Sequence, residues 1–366
     1  MLSSARGAVL RDVVDRLVRG VDGFALLALF RRDTEDVERL ARHRARSYPR
    51  SVEHPDRAEA NRRTRRPLKV GIQLPEVERV VRWPELREMA LRAEAIGLDS
   101  LWVGDHLLYR DENGATQGPW EAWSLLSALA AVTQRVEIGP LVAATGFHSP
   151  AMLAKKANTV DEISAGRLIL GLGSGWNEPD YTAFGFPFTE RVSRFEEAFT
   201  VVRTLLRDGA IDFRGRFHEI RDAELLPPGP RAGGPPLMVG SIGERMLRIT
   251  LPHVQLWNAW FDWFENDPAQ LPPLLAKLDA ACEAVDRDPA TLGRTVAVLV
   301  RLPGGVGRKR GGGDVVPPLT GGAEQIAEGL RAYAGHGISH LQLVLDPITL
   351  DSIEALSPVL ELLDAG

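Results

Sequence analysis

The chain has 366 residues, of which 44% are hydrophobic and 25% are charged, and its formal net charge is −5. This composition fits a globular protein with a sizeable core, and the absence of a basic stripe after residue 67 argues against a nucleic-acid partner. Cys282 is the single cysteine. It excludes an intramolecular disulfide framework and agrees with a reducing, cytoplasmic location.

The first 66 residues differ from the rest, because they contain 16 Arg and no Lys and have weak hydrophobic periodicity. Their longest apolar stretch, residues 23–30, is far shorter than the ~20 residues that a membrane span needs. No convincing signal peptide follows from the pattern, so we expect no membrane partner. We predict that residues 1–66 form a disordered or weakly helical N-terminal extension to one domain, residues 67–366.

From Leu68 onward, apolar runs of strand length alternate with amphipathic helical patterns. Eight runs can be drawn, the number that a closed barrel needs: Leu68–Leu74, Asp99–Asp105, Arg135–Ala144, Arg167–Gly173, Pro236–Ser241, Val254–Ala259, Thr295–Arg301 and His340–Leu345. The order predicts an α/β fold, a (β/α)8 TIM barrel. Two connections are long enough to be insertions: Ile211–Gly234 after helix 4, and Leu302–Thr320 after strand 7, which has the composition of a mobile lid.

Polar residues at the carboxyl ends of barrel strands are candidates for a site, because active sites of this fold lie there. Gln73 ends the first predicted strand, and Asp105 with His106 ends the second. A histidine can donate, accept or transfer a proton near neutral pH. We therefore predict that Asp105 and His106 both project into the barrel mouth as catalytic residues, with a solvated loop as the alternative. Gln73 is predicted to contact a cofactor, and a polar residue satisfied by its neighbours at a strand end is the alternative.

Small residues end the third and fourth strands. Ala144 and Thr145 follow the third, and Gly173, Ser174 and Gly175 follow the fourth. Residues without bulky side chains let a flat ring lie against the backbone, which predicts a cofactor site. A bulge or tight packing is the alternative interpretation of the glycines.

The fifth strand ends in Gly240 and Ser241, and Gly243 opens the next helix. Free N–H groups and the positive end of a helix bind phosphate, so we predict contacts from these three residues to a cofactor phosphate, with Arg245 as a countercharge.

A substrate pocket is predicted from residues just beyond two strands: Trp176, Asn177, Glu178 and Trp257. Ordinary packing of loops onto the barrel rim is the alternative for the tryptophans. We expect no metal site, since a metal-dependent isomerase or lyase would need several carboxylates or histidines at successive strand ends. Those ends carry only one acid; they are Gln73, Asp105, Thr145, Ser174, Ser241 and Asn258.

Six motifs in order resemble the bacterial luciferase-like family of flavin- and deazaflavin-dependent oxidoreductases. They are Val70–Pro75, Ser100–Leu107, Ile138–Val142 with Ser149–Pro150, Leu153–Lys156 with Thr159–Leu168, Arg167–Asn177, and Pro236–Gly243. The resemblance implies a cofactor at the carboxyl ends of the strands, a small-molecule substrate, and a His106 that contacts the cofactor and transfers a proton. It also implies a non-proline cis peptide at the bend that ends strand three.

The resemblance leaves the cofactor open between coenzyme F420, for hydride transfer, and FMN, for oxygen activation. Asp105 with His106, and Trp176–Glu178, resemble the F420-dependent branch more closely. We therefore expect F420, with FMN as the alternative. A non-catalytic flavin-binding relative is the third interpretation, because fold does not fix function and Gln255 departs from the Asp that relatives often carry there. His148 stands where many relatives carry Arg, so the resemblance implies no phosphate contact at that position. The substrate is unreadable, and a homodimer is one candidate assembly.

Overall fold

The computed structural model describes residues 66, 68–110, 114–307 and 316–365. The predicted extension lies outside the described residues except for Arg66, and so does the middle of the predicted lid. The described strands are β1 Lys69–Gln73, β2 Ser100–Val103, β3 Tyr109–Arg110, β4 Thr116–Gln117, β5 Glu137–Pro140, β6 Ala143–Ala144, β7 Leu170–Gly173, β8 Ala210–Arg214, β9 Glu219–Glu224, β10 Leu237–Gly240, β11 Leu256–Ala259, β12 Gly293–Arg301 and β13 His340–Asp346.

The α-helices of the same part of the chain are α1 Trp83–Ala95, α2 Ala122–Val132, α3 Pro150–Ile163, α4 Glu178–Phe184, α5 Arg191–Asp208, α6 Glu244–Thr250, α7 Leu271–Glu283, α8 Ala323–Gly335, α9 Leu350–Glu354 and α10 Ser357–Ala365. Proline in the first turn starts α1 and α3, as the sequence predicts. Among the described helices, none combines the length and the apolar character needed to cross a membrane.

The main sheet is parallel, in the order β5-β2-β1-β13-β12-β11-β10-β7-β6. A bridge between Ile138 and Leu168 joins its two ends and closes the barrel. The third barrel strand has two parts, β5 and β6, and the peptide bond between Leu141 and Val142 that separates them is cis. The predicted TIM barrel is therefore confirmed. Six of the eight strands lie inside their predicted runs, whereas β12 begins two residues early and β13 ends one residue late.

Alternate strand residues face the barrel interior, where polar groups satisfy one another. Asn258 Nδ2 donates to Thr295 Oγ1 at 2.8 Å and to Gln342 Oε1 at 2.7 Å. His340 Nε2 lies 2.7 Å from Ser100 Oγ. Burial, aided by the charge of Lys69, lowers the pKa of His340 to about 3. His340 is thus a neutral structural histidine near neutral pH.

Two antiparallel hairpins, β3–β4 and β8–β9, are additions to the barrel. The second follows α5 and lies in the predicted insertion after helix 4. Sequence patterning located that insertion but did not predict its strands, since they alternate exposed and half-buried residues and carry little apolar signal.

Arg66 is the last residue of the predicted extension, and its side chain is only 1% exposed. Its guanidinium Nη2 lies 3.2 Å from Asp99 and its Nε lies 3.5 Å from Asp364. It also donates to the carbonyl of Gly97. Burial raises the pKa of Asp99, and the charge of Arg66 opposes that rise. Arg66 therefore belongs to the folded barrel and not to the extension.

Replacing Arg66 should destabilise the barrel much more than breaking a surface pair. Arg66→Met leaves the buried Asp99 carboxylate without its cation, which typically costs about 3–5 kcal/mol of unfolding free energy. Arg92→Met is the matched control, since Arg92 pairs with Glu354 at 3.1 Å with both side chains about half exposed; such pairs contribute roughly 0–1 kcal/mol. Urea denaturation measures both. Equal losses for the two variants would contradict a structural role for Arg66.

Candidate active site

His106 lies just beyond the end of β2, at the mouth of the barrel, with its side chain 17% exposed. Its Nδ1 is 2.7 Å from Oδ2 of Asp180, a residue of α4. The predicted position of His106 at the mouth agrees with this geometry, and its chemical role stays a prediction. Asp180 was not predicted, although it is an acid in the first turn of the helix that follows the glycine strand.

Asp180 has no exposed surface and is surrounded by donors. Its Oδ1 accepts from the backbone N–H groups of Leu107 at 3.0 Å and Leu108 at 2.7 Å. Burial favours the neutral acid, but hydrogen bonds from His106, Leu108 and Asn177, together with the charge of His106, give Asp180 a lowered pKa. The carboxylate is therefore anionic near neutral pH and holds the segment that carries His106.

Asp105 does not share the environment of His106, contrary to the prediction that both side chains project into the mouth. It is buried, and its Oδ2 accepts from the Ala144 N–H at 2.9 Å and lies 2.9 Å from His148 Nε2. Asp105 thus supports the end of the third barrel strand, and its catalytic role stays a prediction.

The glycine strand β7 packs closely against the third barrel strand. A Cβ on Gly171 would lie 2.3 Å from the carbonyl oxygen of Pro140, and one on Gly173 would lie 2.7 Å from Cγ2 of Val142. A Cβ on Gly240 would also approach Val142, at 3.2 Å. The packing interpretation therefore holds for Gly171. Gly173 and Gly240 together form a stretch of the mouth without side chains, here called the glycine wall, and the side chain of Val142 lies over it.

Ser174 and Gly175 form the turn into α4. Gly175 has φ +72°, a conformation that favours glycine, and a Cβ there would lie 2.1 Å from the hydroxyl of Tyr181. That hydroxyl donates to the carbonyl of Ser174 at 2.7 Å. Burial raises the pKa of Tyr181 to about 12, so the phenol stays protonated and keeps this hydrogen bond. The turn is thereby fixed beside the mouth.

The predicted pocket residues separate into two groups. Trp176 is 62% exposed, and its ring lies 5.4 Å from that of His106 in an edge-on arrangement. Asn177 is buried and donates to the carbonyl of Leu108 at 2.8 Å, whereas Glu178 is exposed. Trp257 is fully buried, and its indole N–H donates to the carbonyl of Ser241 at 2.8 Å. Trp257 therefore does not line the mouth, which corrects its prediction as a pocket residue.

Two residues that the sequence analysis missed extend the site. The ring of Tyr109 lies 4.7 Å from that of His106, and its hydroxyl donates to Glu76 at 2.9 Å. Gln73 Nε2 donates to the same Glu76 carboxylate at 3.3 Å. Gln73 Oε1 is buried and has no hydrogen-bond partner among the described residues. An orphaned acceptor of this kind is available to a ligand N–H.

The remaining predicted cofactor residues lie at the ends of β6 and β10, the two strands that flank β7. Ala144 and Thr145 are buried beside Asp105. Ser241 is partly buried, and its hydroxyl accepts from the N–H of Gly243, which is exposed at the start of α6. Arg245 pairs with Glu196 at 2.7 Å, so this cation already has a partner on α5. In the part of the chain that the structure describes, no group of three or more potential metal ligands occurs.

Comparison with known proteins gives the family. The family model described as luciferase-like monooxygenase matches residues 64–302, more than half of the chain, and the chain therefore belongs to this family. The resemblance found in the sequence is confirmed. A solved structure, an F420-dependent secondary alcohol dehydrogenase in complex with an F420-acetone adduct, shares the fold with a TM-score of 0.67 at 19% identity. It covers 80% of this chain and 98% of its own.

Two curated relatives carry different activities. The F420-dependent glucose-6-phosphate dehydrogenase of Amycolatopsis mediterranei (strain U-32) is 39% identical over 164 residues, 41% of this chain and 48% of the relative. The pyrimidine monooxygenase RutA of Rhizobium rhizogenes (strain K84) is 33% identical over 211 residues, 55% of this chain and 56% of the relative. The chain thus spans about half the length of these relatives.

The packing of Val142 on Gly173 can be tested by a double-mutant cycle. Gly173→Ala introduces a methyl group 2.7 Å from Val142 Cγ2 and should cost about 1–3 kcal/mol of unfolding free energy, as overpacking does. Val142→Ala removes that clash, so the double variant should lose less than the sum of the single losses. Chemical denaturation measures the cycle.

Gly335→Ala is the control for this cycle, because a Cβ at Gly335 would meet no atom within 4 Å. It should change stability by at most about 0.5 kcal/mol. Strictly additive losses for Gly173→Ala and Val142→Ala would show that the two residues do not compete for the same space.

Proposed function

We propose that this chain is an F420-dependent oxidoreductase that transfers hydride between the deazaflavin and a small organic substrate. The observation that carries the proposal is His106 at the barrel mouth, with Nδ1 held by buried Asp180 at 2.7 Å. The similarity to an F420-dependent dehydrogenase supports the choice of cofactor.

The residues at the mouth fit a flat, hydrogen-bonding ring. Gly173 and Gly240 leave a wall without side chains that Val142 covers, and Gln73 Oε1 is a buried acceptor without a partner. The residues that would hold the ring are Gln73, Ala144, Thr145, Gly173, Ser174 and Gly175. Those that would contact its phosphate are Gly240, Ser241 and Gly243. When bound, the deazaflavin would accept or donate the hydride.

The protein's own contribution is proton transfer and orientation. Oxidation of an alcohol to a carbonyl releases a hydride and a proton, and the neutral imidazole of His106 can accept that proton at Nε2. In the reverse direction, the imidazolium returns the proton to the carbonyl oxygen. Trp176 stands at the rim beside His106, and with Asn177 and Glu178 it would face the substrate.

An FMN-dependent monooxygenase is the second candidate, and the similarity to a pyrimidine monooxygenase favours it. The same wall of glycines would fit a flavin, since the two rings share their outline. A non-catalytic flavin-binding relative is the third. The mouth geometry agrees with all three, because fold and cofactor fit do not fix the reaction.

Cofactor titration and turnover assays on the full-length protein separate these candidates. The protein should bind F420 more tightly than FMN and turn over F420 with a member of a panel of alcohols, or reduced F420 with ketones and enones. Oxygen-dependent turnover with reduced FMN alone would replace the proposal by the monooxygenase. Binding of a cofactor without turnover in either assay would replace it by the non-catalytic relative.

His106→Ala should lower kcat by roughly 10²–10⁴-fold, the usual effect of removing a positioned acid or base. The pH–rate profile should lose the limb that lies in the histidine range. His336→Ala is the matched control, because His336 ends α8 and precedes β13, at the opposite end of the barrel from the mouth; its kcat should stay unchanged. A raised KM with an intact pH profile in His106→Ala would make His106 a binding residue and would assign the proton to water or Glu178.

A further inference from the structure

Two histidine–aspartate pairs lie side by side, because Asp105 of one pair and His106 of the other are consecutive in the chain. Each histidine turns a different ring nitrogen toward its aspartate. His106 faces Asp180 through Nδ1 at 2.7 Å, and His148 faces Asp105 through Nε2 at 2.9 Å. An ionised carboxylate can only accept hydrogen bonds, so the ring nitrogen that faces it carries a hydrogen. The two histidines are therefore held as different tautomers when they are neutral.

We propose that Asp180 is the positioning residue for His106: it keeps the hydrogen on Nδ1 and leaves the lone pair of Nε2 at the barrel mouth. The catalytic consequence rests on the proposed function, but the tautomer does not. In water, a neutral histidine exchanges between its tautomers, and the partner of one nitrogen decides which form persists. Only the Nδ1–H form can accept a substrate proton at Nε2.

The position of Asp180 is fixed by more than the histidine. Its second oxygen accepts from the N–H groups of Leu107 and Leu108, the two residues that follow His106. One carboxylate thus orients both the ring and the backbone from which the ring projects. Because Asp180 is fully buried, solvent does not compete for these hydrogen bonds.

Other titratable groups surround His106 without contacting its nitrogens. Tyr109 packs against the ring and directs its hydroxyl to Glu76. Asp105 directs its carboxylate to His148 and Ala144, and Tyr181 directs its hydroxyl to Ser174. Among the described residues, Asp180 is therefore the carboxylate that can set the tautomer of His106.

Long-range ¹H–¹⁵N NMR of the ring nitrogens in the wild-type protein tests the proposal without cofactor or substrate. At a pH where both rings are neutral, His106 should give the Nδ1–H pattern and His148 the Nε2–H pattern. His106→Gln and His148→Gln assign the signals. An Nε2–H pattern, or an average of both, at His106 would overturn the proposal. Since the readout needs no turnover, its failure is distinct from failure of the proposed hydride transfer.

Asp180→Asn tests the consequence for the reaction. The amide keeps an oxygen for the Leu107 and Leu108 N–H groups and turns its NH2 group toward Nδ1 of His106, so the ring should shift to the Nε2–H tautomer and a His106 imidazolium would lose its anionic partner. With F420 and substrate, kcat should fall by about 10²-fold or more, with less change in KM, and the histidine limb of the pH profile should move to lower pH.

Asp180→Glu should recover part of the lost kcat, because it restores an anionic acceptor. Asp105→Asn is the matched control: it removes the neighbouring buried carboxylate and should alter the His148 signals while the tautomer of His106 persists. An unchanged tautomer and pH profile in Asp180→Asn would overturn the proposal. If that variant does not fold, the wild-type spectrum still decides.

Discussion

The geometry of the barrel mouth depends on buried carboxylates that must be surrounded by donors. A carboxylate removed from water loses several kcal/mol of solvation, which only fixed hydrogen bonds offset. Asp180 obtains its donors from His106, Leu107 and Leu108, so the segment after β2 can take few other conformations. Asp105 binds the N–H of Ala144 and thereby fixes the end of the third barrel strand. The candidate catalytic ring and the wall beside it are held by the same kind of interaction.

The wall consists of glycines, whose lack of side chains lets neighbouring strands come close together. Gly171 lets β7 approach the carbonyl of Pro140, and Gly173 with Gly240 leaves room for the branched side chain of Val142. Val142 is stiff at χ1, so it makes a defined surface over this gap. The residues of these three strands must therefore be matched in size. A side chain added at Gly173 or Gly240 would first displace Val142.

The sequence predicts the barrel well, because strands covered on both faces appear as continuous apolar runs and helices begin at clear signals such as Trp83–Pro84. It also predicts that His106 follows a strand end. It cannot predict the pairing of His106 with Asp180, since 74 residues separate them and barrel closure brings them together. Strand alternation could have indicated that Trp257 does not face the mouth. Asn258 faces the barrel interior, so the preceding residue in the strand, Trp257, faces the surrounding helices. Val142 at the glycine wall depends on the register of three strands, which no local pattern encodes.

Asp105 and His106 are neighbours in the chain just beyond β2, yet they contact different elements of the barrel. Asp105 turns toward the third strand and His148, and His106 turns toward α4 and the mouth. The position of the His106 ring and the position of the wall are consequently linked through one peptide unit. A shift of β2 along its neighbours would separate His106 from Asp180 and Asp105 from Ala144 at the same time. A substitution at Asp105 or Asp180 instead moves one against the other. The two carboxylates thus fix the His106 ring and the end of the third barrel strand on either side of one peptide bond.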